Sequence, residues 1–135
     1  MFIPGLPESR AFTLSVMGSV RHDASTIPPS GFRTNAGVFN PNDADTQVTF
    51  TLYDAFRNPL GVPITRIIGG HSGEQISGVF EASGVGTLST DNALLVVFAT
   101  LPVFTYAAVI DNRTADPIFV VGAPDQSAGF MLIIE

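Results

Sequence analysis

The chain has 135 residues, about one domain's worth, with 45% apolar and only 13% charged residues against the roughly 25% of an ordinary soluble domain. Eleven phenylalanines exclude a disordered chain. The net charge is −6 and all six basic residues are arginine, which argues against nucleic-acid binding and excludes lysine Schiff-base chemistry. Cysteine is absent, which excludes disulfides, thiolate metal centres and a cysteine nucleophile.

In chain order, residues 1–10 read as an N-terminal arm. They lack the basic start and long apolar stretch of a signal peptide. Residues 11–20 form a strand in which Phe12, Leu14 and Val16 alternate with Thr13 and Ser15. Residues 32–39 form another, with Phe32, Thr34, Ala36 and Val38 on one face. Residues 40–45 (Asn-Pro-Asn-Asp-Ala-Asp) are turn formers and predict a hairpin loop. The clearest strand is 47–53, where Val48, Phe50 and Leu52 face one way and Gln47, Thr49, Thr51 and Tyr53 the other. A second turn at 54–59 leads into a strand to Ile68.

After Gly69-Gly70 the rhythm changes. Ile76, Val79 and Phe80 fall at helical spacing, and Ser72 offers a cap, so one short helical turn near 72–80 is expected to close an end of the core. Strands follow at 85–89, 93–99, 103–110 and 118–121. Residues 94–98 are apolar on both faces and predict a strand that is central or covered on both sides. The last strand is 128–134. No apolar run reaches the about 20 residues of a membrane helix, so membrane insertion is not expected. Eight or nine short strands, punctuated by 13 glycines and 10 prolines, predict a single all-β domain over 1–135: an Ig-like antiparallel two-sheet β-sandwich.

Three segments carry a resemblance: Phe32-Arg33-Thr34-Asn35 through Asn40-Pro41, residues 48–59 (VTFTLYDAFRNP), and residues 102–120 (PVFTYAAVIDNRTADPIFV). Together, over about residues 31–122, they resemble an Ig-like β-sandwich accessory module of bacterial secreted and cell-surface proteins. Ala115 stands where that pattern has glycine, and Phe56-Arg57 where it has a turn glycine. The resemblance implies a non-catalytic, extracellular or cell-surface module with no catalytic residues to carry over.

The chemistry-bearing residues are few. His22 and His71 read as loop histidines, far from any serine elbow. Asn42, Asp43 and Asp45 could offer oxygens to calcium, although the loop lacks the glycine and distal glutamate of a calcium-binding loop and turn formation explains the same residues. No other cofactor is implied. The pairs Asp43/Asp45 and Asp111/Asp116 keep open a small hydrolase or enzyme subunit, yet the chain has no tryptophan to stack a sugar. The string Asn112-Arg113-Thr114 reads as a chance sequon. Arg33 is expected to clamp the late turn through Asp111 and Asp116. Phe130, Met131, Leu132, Ile133 and Ile134 form an apolar tail that must be buried, either as the last strand of its own sandwich or exchanged with another copy. The expected partner is therefore a homo-oligomer or a neighbouring domain, and the expected role is structural or adhesive.

Overall fold

The computed structural model describes residues 11–23 and 31–123, so the arm at 1–10 and the tail at 128–135, Phe130 to Ile134 included, lie outside the described residues. Seven strands and one helical turn are described: β1 (Phe12–His22), β2 (Phe32–Asn40), β3 (Thr46–Tyr53), β4 (Pro59–Ile68), β5 (Ser72–Ile76), α1 (Val79–Ala82), β6 (Thr90–Asp111) and β7 (Pro117–Val121). All named pairings are antiparallel, in the order β4-β3-β6-β2-β5, with β1 and β7 also on β6.

The organising element is β6, 22 residues long. Its first half pairs with β1 and with β3, where Leu94–Ala99 lies against Tyr53–Val48. Its second half pairs with β2 over Phe104–Asp111 and with β7 over Tyr106–Ile110. The expected strands at 93–99 and 103–110 are thus one strand with a corner at 100–103. Pro102 sits at that corner, where a missing N–H interrupts no ladder. On the β1 side the register jumps there from Phe98 to Val103. The corner folds the sheet over on itself as a curled half-barrel, and the core fills the fold.

Val48, Phe50 and Leu52 point inward as their alternation predicts, and each is at most 1% exposed. Thr34, Ala36 and Val38 face them from β2, with Ala107 and Val109 alongside. The connection at 40–45 is therefore not a hairpin loop. β2 pairs with β5 and β6, β3 pairs with β4 and β6, and the connection carries the chain from one half of the fold to the other. The turn at 54–58 does close a hairpin, with Tyr53 opposite Pro59.

Two further expectations are corrected. Residues 72–76 are a strand on β2, with Asn40 opposite Ser72 and Ala36 opposite Ile76. The helical turn is confined to Val79–Ala82, and its N-cap is Gly78 at φ 64° rather than Ser72. Residues 83–89 are turns, not a strand. In β1 the apolar rhythm of Leu14 and Val16 belongs to the outer face, because Leu14 pairs beside the half-exposed Phe98. A register shift with Ser19 at φ 57° then brings both Met17 and Val20 into the core, as a bulge does.

Candidate functional site

The crossing at 40–45 is built around one side chain. Asn40 is fully buried, and its Nδ2 donates to the carbonyls of Ala44 (2.8 Å), Ile68 (3.0 Å) and Gly69 (3.2 Å). Its Oδ1 accepts from the backbone N–H (2.9 Å) and the Nδ2 (2.8 Å) of Asn42. Asn42 Nδ2 also reaches the carbonyl of Pro102 at the corner of β6. Thr46 and Thr100 bond across the same corner at 3.0 Å, and Thr46 Oγ1 accepts from the Leu101 N–H. A small open notch of about 200 Å³ lies beside this knot, lined by Ala11, Pro41, Asn42 and Pro102.

The three calcium candidates turn to separate partners. Asn42 serves Asn40 and Pro102, Asp43 meets His71 Nε2 at 2.6 Å on the open surface, and Asp45 Oδ1 accepts from the Gly70 N–H at 3.3 Å. Among the described residues no group of three or more acidic, histidine or cysteine side chains gathers to hold a metal ion. In the β3–β4 hairpin, Asp54 accepts from the N–H groups of Phe56 and Asn58. The Asn58 N–H bond is the largest cause holding its carboxyl below the usual carboxylate range.

Arg33 does reach the late turn, but its guanidinium donates to the Asn112 side-chain oxygen. No ion pair joins it to Asp111 or Asp116 among the described residues. Both lie in the turn itself: Asp111 Oδ1 accepts the Arg113 N–H at 2.9 Å, and the Asp116 backbone N–H donates to Thr114 Oγ1 at 3.2 Å. The physical reason is register: Arg33 stands opposite Ile110, which sets its outward side chain beside the first turn residues.

His71 lies in a turn, as read, but His22 does not. It ends β1 and is 2% exposed. Its ring stacks on Phe80 with centroids 4.8 Å apart and planes 13° apart, Nε2 meets the Gly86 carbonyl at 2.9 Å, and Glu81 Oε2 lies 3.6 Å away. Bonding to a carbonyl places the proton of the neutral ring on Nε2. No feature within the sequence signals this burial; it follows from β1 ending over α1.

Both outer faces carry apolar groups. Around the second half of β6, Phe39 stacks near Phe104 (6.5 Å) and Tyr106 meets Phe119 edge-on (6.1 Å). Tyr106 lies across Gly37, where any Cβ would run into its ring, and its hydroxyl donates to Gln75 at 2.9 Å. Around the first half, Leu14, Val16, Tyr53, Leu94 and Val96 form a second cluster, with Phe98 half exposed beside it. This agrees with the expectation that 94–98 is a central strand, apolar on both faces.

Burial pushes both phenols, Tyr53 and Tyr106, above their ordinary value. A raised folded-state value means the unfolded chain ionises first. Stability is therefore fully present below about pH 10 and is lost as pH rises through the folded values. These are the only tyrosines and there is no tryptophan, so phenolate absorbance titrates both cleanly. The expected result is late titration, with an alkaline loss of stability that flattens in Tyr106→Phe; titration at the ordinary value counts against it.

This is an all-β, antiparallel fold in which a bent central strand serves both halves. Among solved structures, it is similar to that of Thermotoga maritima 1070, with a TM-score of 0.63 at 9% identity, covering 84% of this chain and 95% of that one. It is also similar to the Anabaena sensory rhodopsin transducer, with a TM-score of 0.54 at 14% identity, covering 72% of this chain and 95% of that one. At these identities the likeness is one of fold alone. No protein-family model matches the chain, and no curated protein matches it at a significant level.

Proposed function

We propose that this chain is a non-catalytic structural or adhesion module, extracellular or at a bacterial cell surface, that associates with a second copy or a neighbouring domain. Its two halves are read as the two sheets of an Ig-like sandwich sharing β6. The observation that carries the reading is the aromatic outer face of Phe39, Phe104, Tyr106 and Phe119, in which Phe119 is 41% exposed. Apolar patches of this kind on a weakly charged surface favour association. The acid–base side chains support the same reading: the carboxylates of Asp45, Asp54 and Asp111 each accept a backbone N–H nearby. No cofactor enters the reading.

The proposed contact includes the apolar tail residues Phe130, Met131, Leu132, Ile133 and Ile134. Light scattering on the full chain during size exclusion checks it. The expected result is a multimer whose mass rises with concentration and falls in Leu132→Asp. A strictly monomeric chain at every concentration would overturn the association reading.

A further inference from the structure

The free edge of β7 can be read atom by atom. The Gly122 N–H donates to Thr105 at 3.0 Å and the Asp111 N–H to Asp116 at 3.2 Å, so residues 122 and 116 turn their backbone groups toward β6. Antiparallel ladders alternate, so Ile118 and Val120 also face β6, and Pro117, Phe119 and Val121 face away. Among the described residues no strand pairs with Pro117, Phe119 or Val121 on that side, and the row ends at Ala123, which exchanges both backbone bonds with Val16 of β1. The strand carries no charge, and Ile118 and Phe119 are 64% and 41% exposed. Pro117 is the only residue in it of the kind that guards an edge.

We propose that this edge docks the β7 of a second copy, the two strands running antiparallel about a two-fold axis at Phe119. The proposal rests on the self-association reading but assigns it to residues other than the tail. Identical strands paired antiparallel are self-complementary. With Phe119 opposite Phe119, each donates its N–H to the other, and each Val121 N–H meets the Pro117 carbonyl of the other copy. That makes four hydrogen bonds; the missing proline N–H removes only the two reciprocal bonds at the ends. The charges suit this register. Asp116 falls opposite Gly122 of the other copy, so no like charges are brought face to face in a chain of net charge −6. The two Phe119 rings then extend the row begun by Tyr106 and Phe119 across the axis.

Amide hydrogen exchange on the full chain, with light scattering on the same samples, tests the proposal. In the dimer, the Phe119 and Val121 amides are expected to slow severalfold or more as concentration rises, while Ile118 and Val120 are protected throughout. Val121→Pro, which removes an outward N–H and no bond to β6, and Phe119→Lys, which sets two like charges together, are both expected to yield monomer. Where either variant fails to fold, the exchange pattern of the native chain decides. A dimer in which Phe119 and Val121 exchange freely, or one that survives both variants, overturns the β7 edge. If that dimer is instead lost in Leu132→Asp, the tail reading stands without it. A native chain that is monomeric at every concentration overturns both.

Discussion

Asn40→Asp is expected to lose about 3–5 kcal/mol of folding stability, read as a drop in melting midpoint of roughly 10–15 °C. The side chain is 0% exposed, and its amide nitrogen donates into the carbonyls of Ala44, Ile68 and Gly69. A carboxylate keeps the acceptor for Asn42 but presents a second oxygen to three carbonyl oxygens. Each buried acceptor left unpaired costs about 1–3 kcal/mol, and a buried charge adds its desolvation. The pH dependence separates these contributions. The introduced carboxyl is expected to be raised by burial, so the variant recovers part of its loss as pH falls and the group protonates into a single donor. Asn40→Ala lacks that recovery, because it removes all the bonds at any pH. Thermal melts at neutral and mildly acidic pH check both variants; an Asn40→Asp midpoint within a few degrees of the native chain would show that the crossing does not depend on this residue.

That dependence was not legible in the sequence, and the reason is instructive. Asn40-Pro41-Asn42 has the composition of an exposed turn, and local chemistry predicts one. Whether Asn40 is buried depends on Ile68 and Gly69, 28 and 29 residues away, and on Pro102 behind Asn42. The same division runs through the fold. The alternation of Val48, Phe50 and Leu52 is a statement about one strand with one buried face, and it holds. The turn at 54–58 is local as well, closed by Asp54 and Asn58, and it holds too. Ser72–Ile76 reads as a helical start because its partner β2 lies more than 30 residues upstream, and ladder bonds with β2 outweigh the weak helical rhythm of Ile76 and Val79. β6 reads as two strands because Thr100-Leu101-Pro102 looks like a break. In the fold the same residues are a corner, held by Thr46 and Asn42 from outside the strand. The outward apolar face of β1 follows from the bulge at Ser19, whose positive φ no periodicity reveals.

The candidate site divides along the same line. Arg33 was placed near the late turn by topology, which the alternation of strands makes readable. Its partner, Asn112, was not, because register decides it to within one residue and a shift of one would exchange the faces. His22 shows the limit more sharply. A histidine beside an aspartate in sequence suggests a solvated loop, yet the ring is enclosed by Phe80, Gly86 and Glu81, all about 60 residues further on.

Phe80→Ala is the second large effect, expected at about 3–5 kcal/mol. α1 has four residues, too few to be stable by itself; helices shorter than about 12 residues are marginal in water. It persists because Val79 and Phe80 are fully buried in the core, and three contacts depend on its position. The Val62 N–H donates to Ser83, the Val85 N–H to Phe80, and His22 Nε2 meets Gly86. Removing the ring leaves a cavity under His22 and withdraws the anchor of the whole 79–88 segment. The expected result is a midpoint lowered by roughly 10–15 °C, faster exchange of the Val62 amide, and loss of the ring-current shift that the stacked phenyl imposes on the His22 protons. Phe80→Leu should cost about half as much and keep the Val62 amide protected, since the anchor stays apolar and most of the volume is filled. Should Phe80→Ala leave the Val62 amide as slow as in the native chain, the helical turn would be held by its backbone contacts alone, and the core would end at Leu95 and Val97 rather than beneath His22.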